Sequence, residues 1–302
     1  MNFKGRDIIS IRDFSKEEIL FILERASFFD KNKTSDHLKE KVMATLFFEP
    51  STRTRLSFET SMAQLGGKVL SFDDVNSSSI VKGESLHDTV KMVEGYCDLI
   101  VVRHPKEGAA RYVAEVASVP VINAGDGSNQ HPSQTFTDLY TLQKELGDIS
   151  KTKIGFVGDL KYGRTVHSLS LALAKFGLPI VFISPKSLRM PQDLIEELQS
   201  FNIKIIEEES IEKVANDINI LYVTRIQKER FSDLLEYERL KGVYQIDLDL
   251  TSSFPHLKIM HPLPRVGEIS PEVDGFEGAI YFRQAHNGVP VRKALISMVL
   301  GK

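Results

Sequence analysis

The chain has 302 residues, 42% hydrophobic and 26% charged, with a formal net charge of −3. That length and ordinary globular composition suggest two domains, each large enough to bury a core without disulfide or metal staples. The slightly acidic balance excludes a global pull toward nucleic acid or anionic membrane, so cations needed for ligand binding must come from local placement.

One cysteine, Cys97, cannot make an internal disulfide. This fits a reducing, cytoplasmic compartment, with Cys97 as a small buried apolar residue. No apolar stretch follows the first basic residues as in a signal peptide, and no window approaches the length of a membrane span.

In chain order, the apolar run Val42–Phe48 reads as a strand, followed by Glu49-Pro50-Ser51 and a helix to about Leu65 that Gly66-Gly67 ends. Val69–Phe72 is the next strand, with a long polar loop over Asp73–Glu84. Ser85–Tyr96 reads as a helix, Leu99–Val102 as a buried strand, Glu107–Ala117 as a helix and Val119–Asn123 as a strand. A helix follows from about Pro132 to Leu146.

A second series begins after Gly147-Asp148. Its strands are Ile154–Val157, Pro179–Ile183, Ile203–Ile206, Ile218–Val223, Val243–Leu248, Lys258–Met260 and Ala279–Phe282. Its helices are Val166–Phe176, Pro191–Ser200 and Ile211–Asn216, and a last helix runs from about Val291 to Leu300. Continuous apolar strands alternating with helices predict an α/β fold of two doubly wound parallel-sheet domains. Residues 1–133 form the first and 134–287 the second. The pattern alone does not decide which domain takes the terminal helix; we assign 288–302 to the first.

In open parallel sheets ligands bind beyond the carboxyl ends of the strands, and the active site is expected there, between the domains. Those ends carry Ser51, Thr52, Arg53, Thr54 and Arg55; Ser77, Ser78, Ser79 and Lys82; Arg103; His131 and Gln134; Arg164; Arg225 and Gln227; and His261-Pro262-Leu263-Pro264-Arg265. A chain acidic overall has gathered arginines at its strand ends, which predicts a small ligand with several negative charges. The first cluster is the sharpest. A helix start offers unpaired N–H groups and the positive dipole end, and hydroxyls with an arginine fork complete a phosphate site.

Other chemistries lack their patterns. Gly155-Phe156-Val157-Gly158-Asp159 hints at a dinucleotide turn, but the G-x-G-x-x-G spacing is missing. The eight histidines are scattered without metal-ligand spacing, so neither metal nor cofactor is expected. There is no P-loop and no Gly-x-Ser-x-Gly elbow.

Phe48-Glu49-Pro50-Ser51-Thr52-Arg53-Thr54-Arg55 resembles the carbamoyl-phosphate signature of the aspartate and ornithine carbamoyltransferase family, and His131-Pro132-Ser133-Gln134 resembles its second shared motif. Gly158–Thr165, Thr224-Arg225-Ile226-Gln227 and His261-Pro262-Leu263-Pro264-Arg265 resemble the aspartate branch. The ornithine branch carries His-Cys-Leu-Pro at the last of these, and this chain has no cysteine there. The resemblance spans about Phe14 to Leu300. It implies transfer of the carbamoyl group of carbamoyl phosphate to the amine of L-aspartate, giving N-carbamoyl-L-aspartate and phosphate, the committed step of pyrimidine synthesis. Ornithine as acceptor is the alternative.

By the same resemblance, Ser51, Thr52, Arg53, Thr54 and Arg103 hold phosphate, while Arg53, Thr54 and His131 donate to the carbamoyl oxygen as it gains charge. Gln134 contacts the carbamoyl amide. Arg164, Arg225 and Gln227 hold the aspartate carboxylates, and the Leu263 carbonyl, fixed between Pro262 and Pro264, accepts from the amine. Ser78 and Lys82 reach the site of a neighbouring chain, which implies a homotrimer with shared sites. The family also includes assemblies with a separate regulatory chain, and no docking surface for one is legible in the sequence. Glu49 is expected to bridge to Arg164 or Arg230, and Arg55, Arg230 and Arg265 to brace the site through Glu49, Glu59 or neighbouring backbone.

Overall fold

Short runs of consecutive apolar residues become the buried inner strands of two all-parallel sheets, as the covering helices require, while the edge strands at Lys68–Phe72 and Ile205–Glu208 are partly exposed. The structure, a computed structural model, describes residues 1–72, 83–226, 234–240 and 242–302. It divides into two units, Met1–Tyr140 with Asn287–Lys302, and Thr141–His286.

In the first unit, β1 (Val42–Phe47), β2 (Lys68–Phe72), β3 (Leu99–His104) and β4 (Val121–Asp126) lie in the order β2-β1-β3-β4. The chain runs outward from β1 to β2 and then crosses to β3 on the other side of β1. The carboxyl ends of β1 and β3 therefore flank the point where the strand order reverses, the place where such sheets bind ligands. Phe47 pairs with Arg103 across that point.

Helices α1 (Lys16–Lys31), α2 (Thr52–Gln64), α3 (Leu86–Val93), α4 (Ala109–Val116) and α5 (Pro132–Leu146) follow the strands or precede them, and α5 carries the unit boundary at Tyr140. The helix α11 (Gly288–Val299) belongs to this unit and packs against α1 and α2. Its anchors are two buried cations. Lys293 donates to the carbonyls of Phe29 and Lys33 at 2.9 Å and of Asn32 at 3.4 Å, satisfying the open end of α1. Arg292 donates to Ser57 Oγ at 3.1 Å and lies over the Phe58 ring, where burial lowers its guanidinium to about 10.

The second unit repeats the scheme with β5 (Ile154–Val157), β6 (Ile180–Ile183), β7 (Ile205–Glu208), β8 (Ile220–Val223) and β9 (Lys258–Met260) in the order β7-β6-β5-β8-β9. Here the reversal lies between β5 and β8. Its helices are α6 (Arg164–Lys175), α7 (Gln192–Gln199), α8 (Leu234–Leu240), α9 (Leu248–Ser253) and α10 (Tyr281–His286).

Several elements differ from the sequence reading, each for a local reason. The run Val243–Leu248 makes only a bridge at Ile246, because the Asp247 side chain accepts from Leu250 N at 2.9 Å and starts α9. Ala279 bridges to Ile259, and the chain turns into α10 at Tyr281 instead of continuing as a strand. Ile211–Asn216 closes as turns with a short 3-10 segment at Ala215–Asp217. Helix α1 was not anticipated, although its signal is present. Ser15 and Glu18 form a reciprocal capping box at 3.2 and 2.9 Å. Cys97 is half-buried, and burial raises its thiol pKa.

Candidate active site

The β1–α2 turn is built to leave donors open. Ser51 is the N-cap of α2 but makes no side-chain cap bond, and no acidic residue occupies the first helical turn. Both features keep the helix start positive and its N–H groups available for an anion. Thr52 and Arg53 are exposed, while Thr54 is buried. Partial desolvation lowers the Arg53 pKa from its ordinary value, which still leaves it a cation at any working pH. Arg55 makes a loose i,i+4 pair with Glu59, whose carboxylate also accepts from Ser71 Oγ at 2.9 Å.

Arg103 leaves the neighbouring strand β3 with its fork already oriented. Nη1 donates to the Ala124 carbonyl at 3.1 Å, and Nη2 pairs with Glu49 Oε1 at 2.7 Å. Glu49 is thus engaged by an arginine of its own domain.

His131 is buried just before α5, and its carbonyl accepts from the N–H groups of Gln134 and Thr135 at 3.0 and 3.1 Å. It therefore stands as the first stop of the helix while its ring lies among buried groups. The loop leading to it is fixed by the buried carboxylate of Asp126. That group accepts from Asn123 Nδ2 at 2.9 Å, Gly108 N at 2.9 Å, Asn129 Nδ2 at 3.1 Å and Gln130 N at 3.2 Å. Gln134 Nε2 donates to Asp138 Oδ1 at 2.8 Å. A carboxylate can only accept, so this bond fixes the amide orientation and leaves the Gln134 carbonyl oxygen to accept from a ligand N–H. Ser51–Thr54, Arg103 and His131 with Gln134 thus stand at the carboxyl ends of three adjacent strands.

In the second unit, Arg164 opens α6 after a turn that needs glycine. Gly158 has φ +116°, and a Cβ there would meet the Thr224 carbonyl at 2.3 Å. The same close approach lets Thr224 Oγ1 donate to the Val157 carbonyl at 3.0 Å, tying together the ends of β5 and β8. Arg225 follows immediately, so Arg164 and Arg225 extend from the two strands at this sheet's reversal point. After β9, Leu263 has φ +57° and a cis bond to Pro264. Arg265 Nη2 pairs with Asp274 Oδ2 at 2.7 Å and Nη1 donates to Tyr281 Oη at 2.9 Å, partners other than the Glu49, Glu59 or neighbouring backbone expected for it.

Ser78, Lys82, Gln227 and Arg230 lie outside the described residues. Asp126, Asp138 and Glu268 were not singled out from sequence. Their signal is weak, because a buried carboxylate that organises a loop looks like any acidic residue until its donors are known. Among the described residues no three His, Cys, Asp or Glu side chains gather as a metal-binding group, and no helix is long and apolar enough to cross a membrane.

Each unit thus carries its own anion-ready cluster at its strand ends, the first rich in hydroxyls and the second in arginines. Residues 6–144 match the aspartate/ornithine carbamoyltransferase carbamoyl-P binding domain, and residues 150–299 match the Asp/Orn binding domain. The chain belongs to the aspartate/ornithine carbamoyltransferase family. It is 55% identical to the aspartate carbamoyltransferase catalytic subunit of Thermococcus kodakarensis, covering 100% of this chain and 99% of that one. The solved catalytic subunit of M. jannaschii aspartate transcarbamoylase is similar with a TM-score of 0.89 at 53% identity, covering 96% of each chain. Aspartate transcarbamoylase from Trypanosoma cruzi, in complex with carbamoyl phosphate and aspartate, is similar with a TM-score of 0.94 at 36% identity, covering 99% of this chain and 98% of that one.

Proposed function

We propose that the chain transfers the carbamoyl group of carbamoyl phosphate to the amine of L-aspartate, giving N-carbamoyl-L-aspartate and phosphate in pyrimidine synthesis. The observation that carries this reading is the placement of Ser51–Thr54, Arg103 and His131 at adjacent strand ends of one domain, with Arg164, Arg225 and Leu263 at strand ends of the other.

The phosphate sits on the α2 N–H groups, the hydroxyls of Ser51, Thr52 and Thr54, and the forks of Arg53 and Arg103. Arg53, Thr54 and His131 donate to the carbamoyl oxygen. As the amine attacks the carbamoyl carbon, that oxygen gains negative charge, and preorganised donors stabilise it without reorganising. The Gln134 carbonyl oxygen accepts from the carbamoyl NH2 and fixes its plane. Arg164, Arg225 and Gln227 hold the two carboxylates, and the Leu263 carbonyl accepts from the attacking amine. The C–N bond forms, the C–O bond to phosphate breaks, and the leaving phosphate takes the amine proton. Catalysis then rests on orientation and electrostatics.

The chain works as a cytoplasmic homotrimer in which Ser78 and Lys82 complete the site of a neighbour. The relatives' designation as catalytic subunits favours an assembly in which a separate regulatory chain has a place. Product analysis with aspartate and with ornithine tests the acceptor; turnover of ornithine above aspartate would overturn it. Mixed trimers of Lys82→Ala and His131→Ala chains should regain partial activity, and no recovery would refute the shared site.

A further inference from the structure

The turn after β9 is held by a small set of hydrogen bonds that admits one proton arrangement. Glu268 is buried, and both its oxygens are engaged. Oε1 lies 2.7 Å from His261 Nε2, and Oε2 accepts from the N–H groups of Val266 at 3.1 Å and Gly267 at 3.0 Å. The other ring nitrogen, Nδ1, lies 2.7 Å from the Leu263 N–H. A backbone N–H can only donate, so Nδ1 must accept, and the ring proton must sit on Nε2 facing the carboxylate. The backbone of His261 is fixed too, since its N–H donates to Gln284 Oε1 at 2.8 Å from the fully buried Gln284. Carboxylate, imidazole and Leu263 amide therefore form one chain of donors and acceptors.

The last link holds a residue in an unfavourable conformation. Leu263 has φ +57°, a left-handed geometry that costs a side chain such as leucine energy and persists only where the surroundings impose it. The bond from its N–H to the ring two residues earlier is such a constraint. Leu263 is also the residue whose carbonyl accepts from the amine in the function proposed above, and this inference rests on that reading. Neither His261 nor Glu268 has a part in that proposal.

We infer that His261 and Glu268 are positioning residues: Glu268 fixes the neutral Nε2–H tautomer of His261, and His261 holds the Leu263 turn so that its carbonyl meets the attacking amine. The pair acts on the amine alone. A dicarboxylate without the amine should not sense it.

The test compares His261→Leu, His261→Asn and Glu268→Gln. Asparagine keeps an acceptor near the place of Nδ1, leucine keeps none, and glutamine removes the charge that fixes the tautomer. We expect kcat with aspartate to fall about 100-fold in His261→Leu, the scale of a misplacement of about 1 Å at a reacting group. His261→Asn should recover at least about tenfold of that, and Glu268→Gln should fall between the two. The inhibition constant of succinate and the affinity for inorganic phosphate should stay within about twofold of wild type in all three. A rise in the succinate constant parallel to the loss of kcat, without recovery in His261→Asn, would show a general packing role and overturn the inference. So would unchanged kcat in the leucine variant. If His261→Leu does not fold, the split between kcat and succinate binding in Glu268→Gln decides the matter alone. Wild-type turnover is measured first: no carbamoyl-aspartate from the wild-type protein would refute the proposed function itself, whereas variants that behave as wild type in an active background refute only the positioning role.

Discussion

Replacing Glu49 by glutamine tests whether the phosphate site is held shut by its own counter-ion. Arg103 Nη2 and Glu49 Oε1 are 2.7 Å apart, with side chains only 13% and 21% exposed. An incoming phosphate that uses Arg103 must therefore share it with a carboxylate. A carboxylate in contact with that arginine lies roughly 6 Å from the phosphate, and a dianion at that distance is repelled by about 1.4 kcal/mol even in a water-like dielectric. Glutamine keeps the carbonyl acceptor for the guanidinium and removes the charge. Inorganic phosphate should then bind about tenfold more tightly, by titration calorimetry at low ionic strength. The gain should shrink as salt rises toward about 1 M, where the screening length is about 3 Å. The opposing effect is loss of order. If Glu49 serves mainly to aim Arg103, the variant will bind phosphate no better or worse. That result, in a variant whose thermal unfolding matches wild type, refutes the competition argument.

Other consequences are direct. His131→Ala should lower kcat about 10²–10³-fold, the usual effect of losing one oxyanion donor, while phosphate affinity and unfolding temperature are retained; stopped turnover assays beside thermal scans check this. Lys293→Met strands the carbonyls of Phe29, Asn32 and Lys33 at the end of α1 and should cost about 2–4 kcal/mol in urea unfolding. Burial alone would raise the Glu268 pKa, but the bonds from His261 and Gly267 N–H outweigh it and hold the carboxyl well below the usual carboxylate range. Its folded pKa lies below the unfolded one, so its contribution is complete above the unfolded pKa, near 4.5. That contribution is lost as pH falls toward the folded value. Glu268→Gln should flatten this acid limb of the stability curve by about 1.5–3 kcal/mol, read from urea midpoints across that range.

The residues proposed to touch ligand are legible in the sequence because the fold puts them next to a strand. Ser51–Thr54 follow β1, Arg103 lies one residue before the end of β3 and Arg225 follows β8, so an apolar run with a cation near its end marks each one. The groups that hold them are not legible in the same way. Glu49 meets Arg103, Ser10 meets Gln130 across 120 positions, and Lys293 meets Phe29 across 264. Such pairs follow from sheet order, which periodicity does not encode. The strand reading of Val243–Leu248 failed for a related reason: one Asp247 side chain, able to cap a helix, outweighed the apolar run around it.

The same distinction separates His131 from His261. Both lie just beyond strands and both are buried, yet one is read as a donor to substrate and the other as a support. Both ring nitrogens of His261 have protein partners of fixed character, a carboxylate on one side and a backbone N–H on the other, so the ring has no donor or acceptor left for a ligand. Its effect on chemistry must therefore pass through Leu263. This is why the separation of kcat from succinate binding, and not the size of the activity loss, is the measurement that discriminates.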